Sequence, residues 1–353
     1  MLDQLNYLQC PECKNGNLEG LTDRYKCERC GSVYLFLGPN SASLLSNNKL
    51  TKTKQSIQEF WGDLCQQWYS TFDHDLDQER LLRNLNWLED MFRRRHHLAT
   101  TELRLDELKN KRLLEIGSGG GGHSALFRKY GANVTAVDIT PERVTSTAKK
   151  LGILDECTET GSGVAFLADA ESLPFAADSF DIVYSNGVLH HSENTEKCIE
   201  EILRVLKPGG NAIVMLYNRD SVYYWTTLFI KGIIGGEIFK YPNAEWIGRI
   251  TEGKPQYGDT KNPITRVYSK QGIIQLFKNF NIISLRKNSF SFSELPKLSF
   301  FFNSLLRFCG CKEHPGGTIV YGKPIMCETK LELALGSVVG FCWNIVAQKE
   351  EDQ

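Results

Sequence analysis

The sequence lacks a surplus of either charge. Lysine and arginine number 41 against 42 aspartates and glutamates, a formal net charge of −1. That excludes the whole-chain basic field with which nucleic-acid-binding proteins displace counterions from phosphate. The opening residues, MLDQLNYLQCPEC, hold neither a basic n-region nor an apolar h-region, so no secretory signal is expected. Long hydrophobic runs are missing as well. The longest, Tyr223 to Phe239, is broken by Lys231, Glu237 and three glycines, which makes a poor membrane span. An odd number of cysteines, 11, with no signal segment, argues against a disulfide framework and for a reducing compartment. A cytoplasmic chain is therefore expected. No internal repeat is visible. Apolar residues at 41% and charged ones at 24% exclude wholesale disorder, and 353 residues predict two or three domains.

What is present begins with Cys10-Pro11-Glu12-Cys13 and Cys27-Glu28-Arg29-Cys30-Gly31, two C-x-x-C pairs separated by 13 residues. Each pair turns two thiolates to one side of an ion, and two pairs complete a tetrahedral four-sulfur site of the kind zinc takes. Arg24-Tyr25-Lys26 reads as a short strand and Gly31 as a bend. Residues 1–38 are accordingly expected to form a zinc ribbon with Cys10, Cys13, Cys27 and Cys30 as ligands of a structural Zn2+. Four unbound thiols or a redox pair are the alternatives. The ribbon is expected to fold apart from the rest, so that losing a cysteine would spare ligand binding elsewhere.

Residues 39–55, rich in Ser, Asn and Lys, read as a linker. A capping box at Ser56-Ile57-Gln58-Glu59 predicts a helix start, followed by Ile57, Phe60, Leu64 and Trp68 at helical spacing. Leu81, Leu85, Leu88 and Phe92 predict a second helix, ending in Arg93-Arg94-Arg95-His96-His97, where basic residues suit the helix dipole. Residues 56–108 are thus a helical segment that could lid a pocket.

From Lys111 onward short apolar strands alternate with helices: Arg112–Ile116, Asn133–Asp138, Val164–Ala168, Asp181–Ser185 and Asn211–Tyr217, with helices such as Pro141–Leu151 and Thr195–Leu206 between them. This pattern predicts an α/β domain over 109–353 with a parallel sheet covered on both faces. The first strand runs into Gly117-Ser118-Gly119-Gly120-Gly121-Gly122, a loop whose bare backbone can pass beneath a ligand and offer amides at a helix start. Asp138 ends the second strand, where a carboxylate can accept both hydroxyls of a ribose. Asp169 follows the third strand, placed to accept from an adenine amine, with Leu173 and Phe175 as apolar surface nearby. Ser185-Asn186-Gly187-Val188-Leu189-His190-His191 follows the fourth, and Leu206-Lys207-Pro208-Gly209-Gly210 leads into the fifth.

In these strings the chain resembles the class I S-adenosylmethionine-dependent methyltransferases, small-molecule branch. E-x-G-x-G-x-G reads Glu115-Ile116-Gly117-Ser118-Gly119-Gly120-Gly121, and DIVYSNGVLHH and LKPGG are typical of that branch. The resemblance is close over 111–217 and looser through Ser269–Arg286 and Ser337–Lys349. It implies a Rossmann-like, doubly wound, seven-stranded sheet preceded by the zinc ribbon and the helical segment. It also implies S-adenosylmethionine as cofactor. Gly117, Gly119 and Gly121, with Glu115 and Ser118, would hold the methionine part, Asp138 and Ile139 the ribose, and Asp169 with Ala170 the adenine. Asn186, Gly187 and Val188 would line the sulfonium and the mouth of the acceptor pocket. His190 or His191 is the candidate general base, since imidazole titrates near neutral pH, and Tyr217 is a weaker candidate.

An insert from Asn218 to Tyr268 carries Tyr223, Tyr224, Trp225, Phe229, Trp246 and Tyr257. Either these aromatics shape an acceptor pocket or they pack the insert onto the body. The apolar stretch Leu295–Phe308 could join the pocket or touch a membrane surface. The expected activity is methyl transfer to a small hydrophobic metabolite, with oxygen the favoured atom and nitrogen or carbon open. Two other readings stand beside it. A ribbon ahead of this fold also resembles some ribosomal-RNA base methyltransferases, against which stand the neutral charge and the missing Asn-Pro-Pro-Tyr motif. The ribbon also resembles small zinc proteins that activate other methyltransferases, which would make the chain a non-catalytic scaffold.

Overall fold

The computed structural model describes residues 5–46, 50–158, 160–251, 261–295, 299–308 and 310–351. Four short strands open the chain: β1 (Leu18–Gly20), β2 (Arg24–Cys27), β3 (Val33–Gly38) and β4 (Ser41–Ser43). Two long helices follow, α1 (Lys52–His74) and α2 (Gln78–Arg94). The alternating part then runs β5 (Arg112–Ile116), α3 (Gly122–Lys129), β6 (Asn133–Asp138), α4 (Pro141–Cys157), β7 (Ser162–Leu167), β8 (Phe180–Asn186), α5 (Thr195–Val205) and β9 (Leu206–Tyr217). After the insert, which contains α6 (Asn243–Thr251), come α7 (Lys270–Leu276), β10 (Asn281–Asn288), α8 (Ser299–Phe308), α9 (Lys330–Val339) and β11 (Cys342–Gln348).

All the strands join one sheet in the order β1-β2-β3-β4-β7-β6-β5-β8-β9-β11-β10. Neighbouring strands from β4 to β9 along this order are parallel; β9, β11 and β10 are antiparallel. The strands are apolar at successive positions because both faces are covered. Leu114, Ile116, Val183, Val214 and Leu216 share one core with Ile199 and Ile202 of α5 and Phe277, just past α7. Leu113, Val134, Tyr184 and Ile213 face the other way, onto α2, α3 and α4. Leu81, Leu85, Leu88 and Phe92 of α2 are wholly buried there, as their spacing predicts.

The sheet has eleven strands rather than seven, and the reason lies in the stretch read as a linker. Ser41, Ala42 and Ser43 of β4 pair in parallel with Ala165, Phe166 and Leu167 of β7. Polar side chains hide this strand from a hydrophobicity reading, since its backbone does the pairing. The helix start also moves. Thr51, not Ser56, caps α1, its hydroxyl accepting from the Lys54 amide at 3.2 Å, and Ser56–Glu59 lie inside the helix. The side chains of Leu64 and Trp68 lie outside the described residues.

The first residues do not stand apart from the sheet. Gln9 N–H donates to the Pro174 carbonyl at 2.9 Å and Ala176 N–H to the Tyr7 carbonyl at 2.8 Å, bracketing a bridge between Leu8 and Phe175. Tyr7 Oη lies 2.7 Å from Thr135 Oγ1, and its ring packs on Phe175 and Phe180. Leu8, Cys10, Tyr25, Cys27 and Tyr34 are buried in the same core as Phe166 and Phe180. No helix among the described residues is long and apolar enough to cross a membrane.

The insert packs largely on itself. Tyr224, Leu228, Trp246 and Ile247 form a small core with Phe341, so most of its aromatics serve packing; Tyr257 lies outside the described residues. Phe175, fully buried between the first residues and β7, tests the shared core. Phe175→Ala should cost about 3–5 kcal/mol and lower the melting of the whole chain in one calorimetric transition. A separate, independently shifted N-terminal transition would contradict the shared core.

Candidate active site

The parallel strands end on a cavity of about 970 Å³. One of its walls is the loop after β5. Gly117, Gly119 and Gly121 all take positive φ, and a Cβ on Gly117 would lie 2.3 Å from Val188. Only glycine lets the loop pass that close to the β8 end. The loop is then pinned by Asp138: the Gly119 amide donates to Oδ2 at 3.1 Å and the Thr140 amide to Oδ1 at 3.0 Å. Gly117, Ser118, Gly119, Asp138, Ile139, Asp169, Ala170, Asn186, Gly187 and Val188 all line the cavity, as does Glu115. Gly121 does not; it caps α3 and sits against Thr147.

Helix α1 roofs this end. Lys54 Nζ pairs with Asp169 Oδ2 at 2.6 Å and Glu171 Oε2 at 2.9 Å. Gln58 Nε2 donates to the Ile139 carbonyl at 2.6 Å, and Thr51 Oγ1 to Glu193 at 2.9 Å. Trp61 sets its ring 5.2 Å from that of His191, and the Arg143 guanidinium lies over the indole, 4.9 Å from its ring centroid. Lys54, Trp61, Arg143 and Glu171 are cavity residues that sequence reasoning missed. Lys54 falls in the presumed linker and carried no signal; Arg143, five residues after Asp138, could have been suspected from its place at a helix start.

The two histidines divide. His190 is fully buried, its ring packed on Tyr217 with centroids 3.9 Å apart and planes tilted by 36°, with neither ring nitrogen hydrogen-bonded, and it does not line the cavity. Burial, then the neighbouring His191, holds its pKa well below the usual imidazole value, so it stays neutral. His191 does line the cavity. Its Nδ1 lies 3.1 Å from the Ile264 carbonyl, 3.0 Å from Asn262 Nδ2 and 3.0 Å from Thr265 Oγ1. The ring is thereby held through Nδ1. Tyr217, Tyr223 and Phe341 continue the wall as an aromatic surface.

Beneath the glycine loop, Glu115 is buried and accepts from Ser124 Oγ. Burial, with Asp138 adding to it, raises its carboxyl to about 8. His123 Nδ1 stands 3.7 Å from Glu115, but burial lowers the imidazole to about 4. At neutral pH both are uncharged, so this contact is not an ion pair.

The four N-terminal cysteines also converge. Their sulfurs lie within 4.8 Å of one another, with Cys10–Cys30 at 3.6 Å and Cys13–Cys27 at 3.7 Å. A tetrahedral zinc with bonds of about 2.3 Å spaces its sulfurs about 3.8 Å apart. The donor set fits that ion. A Cβ on Gly16 would stand 2.3 Å from Cys27 Sγ, so the cradle also needs a glycine.

The buried Glu115 gives a pH test. The folded chain keeps a proton that the unfolded chain releases near 4.5, so stability falls as pH rises from there through about 8. Urea unfolding at several pH values should show that decline, and Glu115→Gln should flatten it while still accepting from Ser124. Equal pH slopes in both proteins would contradict the buried protonated carboxyl.

Comparison with known proteins adds to this geometry. A family model described as a methyltransferase domain matches residues 114–214. A sterol 4-C-methyltransferase from Caenorhabditis elegans is 33% identical over 150 residues, covering 40% of this chain and 42% of that protein. A ubiquinone biosynthesis O-methyltransferase from Xanthomonas oryzae is 29% identical over 196 residues, 54% of this chain and 74% of its own. This chain thus spans less than half the length of the first of these relatives. Among solved structures, a SAM-dependent methyltransferase from Methanosarcina mazei superposes with a TM-score of 0.45 at 21% identity, covering 69% of this chain and 94% of that one. On the family match, the chain carries a methyltransferase domain over residues 114–214.

Proposed function

We propose that the chain transfers the methyl group of S-adenosylmethionine to a small, largely apolar acceptor, with a hydroxyl oxygen as the favoured atom. The observation that carries this is the single cavity in which the glycine loop, Asp138 and Asp169 share one space with Tyr217, Tyr223 and Phe341. Bound there, the cofactor would supply an electrophilic methyl on a sulfonium. The protein's part is alignment, exclusion of water and acceptance of the acceptor's proton. Gly117, Ser118 and Gly119 would hold the methionine part, Asp138 and Ile139 the ribose, and Asp169 and Ala170 the adenine. Asn186, Gly187 and Val188 face the transfer point, and His191 is the base in this reading. The sterol and quinone methyltransferases named above act on largely apolar molecules, which agrees with it. Exposed Phe301 and Phe308 on α8 would give a membrane holding such an acceptor a point of contact.

RNA methylation is less well supported. The one basic run is already neutralised: Arg93 pairs with Glu89, Arg94 with Asp90 and Arg95 with Glu328. The N-terminal cysteines we assign to one structural Zn2+, held by Cys10, Cys13, Cys27 and Cys30. A closed four-thiolate site has no open position for catalysis.

Transfer of labelled methyl from S-adenosylmethionine into a cell extract should place label in solvent-extractable small molecules. Asp138→Ala should cut it by about tenfold or more, having lost the pin of the glycine loop. Label in nuclease-sensitive material, or none with wild type, would overturn the reading. The metal assignment predicts about one zinc per chain by elemental analysis, lost in Cys13→Ser, together with a fall in melting temperature. Full stability of a zinc-free chain would contradict it.

A further inference from the structure

The segment that opens the insert is apolar on both sides. Tyr224–Phe229 wind as a π-helix and Ile230–Ile234 continue as an α-helix, followed by a single turn, Glu237–Lys240. One face is spent on the body. Tyr224 and Leu228 are buried in the insert's own core, and a Cβ on Gly232 would lie 2.8 Å from the Trp246 ring. A surface helix ordinarily turns polar side chains to the other face. Here that side carries Trp225, Ile230, Ile233 and Ile234, all exposed, and the next turn adds Phe239. Ile234 is 82% exposed and Phe239 79%. Single exposed apolar residues are normal, but a cluster of large ones marks a surface that something covers.

A second apolar surface lies beside the first. Phe301, Leu305 and Phe308 of α8 are exposed, Phe308 by 90%. Helix α8 packs on the turn Phe292–Glu294, where the Phe302 and Phe292 ring centroids stand 4.8 Å apart. The same turn is bonded to the insert helix, Thr227 Oγ1 donating to the Glu294 carbonyl at 3.4 Å. The two exposed elements therefore flank one turn. That turn is also a rim of the cavity. Ser293 and Glu294 line it together with Tyr223 and Thr251, and Glu294 is exposed, so the cavity reaches the surface here.

The nearby charges choose the occupant. From Arg219 to Arg249, Arg219 pairs with Asp220 at 3.8 Å and Arg249 with Glu237 at 3.0 Å. Lys231 and Lys240, exposed among the apolar side chains, have no ion-pair partner among the described residues. The remaining carboxylate of this stretch, Glu245, stands in the first turn of α6, where the helix dipole favours it. A symmetric second copy would set the two lysines against two more. Lipid answers both features. An acyl layer takes the apolar side chains, and anionic headgroups take lysines reaching up from it, with Trp225 at the boundary.

We propose that the exposed faces of 224–240 and α8 form one docking surface for an anionic lipid bilayer, setting the cavity opening at Glu294 against the membrane. Through that opening an apolar acceptor would pass from the bilayer to the aromatic wall of Tyr217, Tyr223 and Phe341. The docking stands on the surface alone; its purpose rests on the methyl-transfer reading. The chain's formal charge is −1, so the attraction to anionic lipid is local rather than a whole-chain effect.

Flotation of the full chain with lipid vesicles tests this. Vesicles of phosphatidylcholine with about 30% phosphatidylglycerol should bind it about tenfold more tightly than phosphatidylcholine alone. Ile234→Asp combined with Phe239→Ser should weaken binding to both vesicles about tenfold or more, with unchanged melting temperature and S-adenosylhomocysteine affinity. Lys231→Gln with Lys240→Gln should abolish the preference for phosphatidylglycerol and leave binding to phosphatidylcholine as it was. Phe308→Ser should weaken both as well; full binding by that variant overturns the joined surface. No binding of the wild type to the mixed vesicles, or binding indifferent to Ile234→Asp with Phe239→Ser, overturns the docking altogether. A dimer in sedimentation velocity that the same substitutions split would place a second copy on this face and overturn it too. Failure of the wild type to bind S-adenosylhomocysteine would instead sink the methyl-transfer reading, and the vesicles still judge the docking without it.

Discussion

The site depends on how α1 is fastened over the sheet, and the strongest fastening is one buried charge pair. Lys150 of α4 is wholly buried, and its Nζ meets Asp73 Oδ1 at 2.5 Å and Ser146 Oγ at 2.8 Å. Removing one partner would strand the other in a low-dielectric interior, a loss of about 3–5 kcal/mol. At the opposite end of the same helix Lys54 bonds Asp169 and Glu171. Two lysine–carboxylate clamps, one at each end, therefore hold a 23-residue helix across the strand ends. Between them Gln58 and Trp61 are set against Ile139 and His191. Without that roof, the glycine loop would face open water rather than a cavity.

The clamps also explain why the first residues matter to the site. The segment from Asp169 to Ala176 carries the Lys54 partners at its start and the main-chain pairing with Tyr7 and Gln9 at its end. It is held from both sides, by α1 and by the strand entering the cysteine cluster. The expectation of a ribbon standing apart missed this, because two main-chain hydrogen bonds and a bridge leave no mark on side-chain composition.

Legibility followed the range of the interaction. Leu113 to Gly122 announced strand, turn and helix because each step is a local backbone requirement, and Gly117 is needed for contact with Val188 at a neighbouring strand end. The cysteine spacing brought four sulfurs together for the same local reason. His190 and His191 could not be separated in sequence, since adjacent residues differ only in which way the chain turns them; one packs on Tyr217 and the other meets Ile264. Lys54 and Ser41–Ser43 were hidden in a polar stretch whose contacts lie more than a hundred residues away. The same holds for Glu294, which enters the cavity only once the last two strands close the sheet.

The account's central claim is that one roofed cavity holds the cofactor and the acceptor side by side. A crystal structure of the chain with S-adenosylhomocysteine tests it most directly. The adenosine should lie between Asp138 and Asp169 beneath α1, with the homocysteine sulfur turned toward Tyr217 and His191. Adenosine bound outside α1, or a sulfur facing away from that aromatic wall, would contradict it.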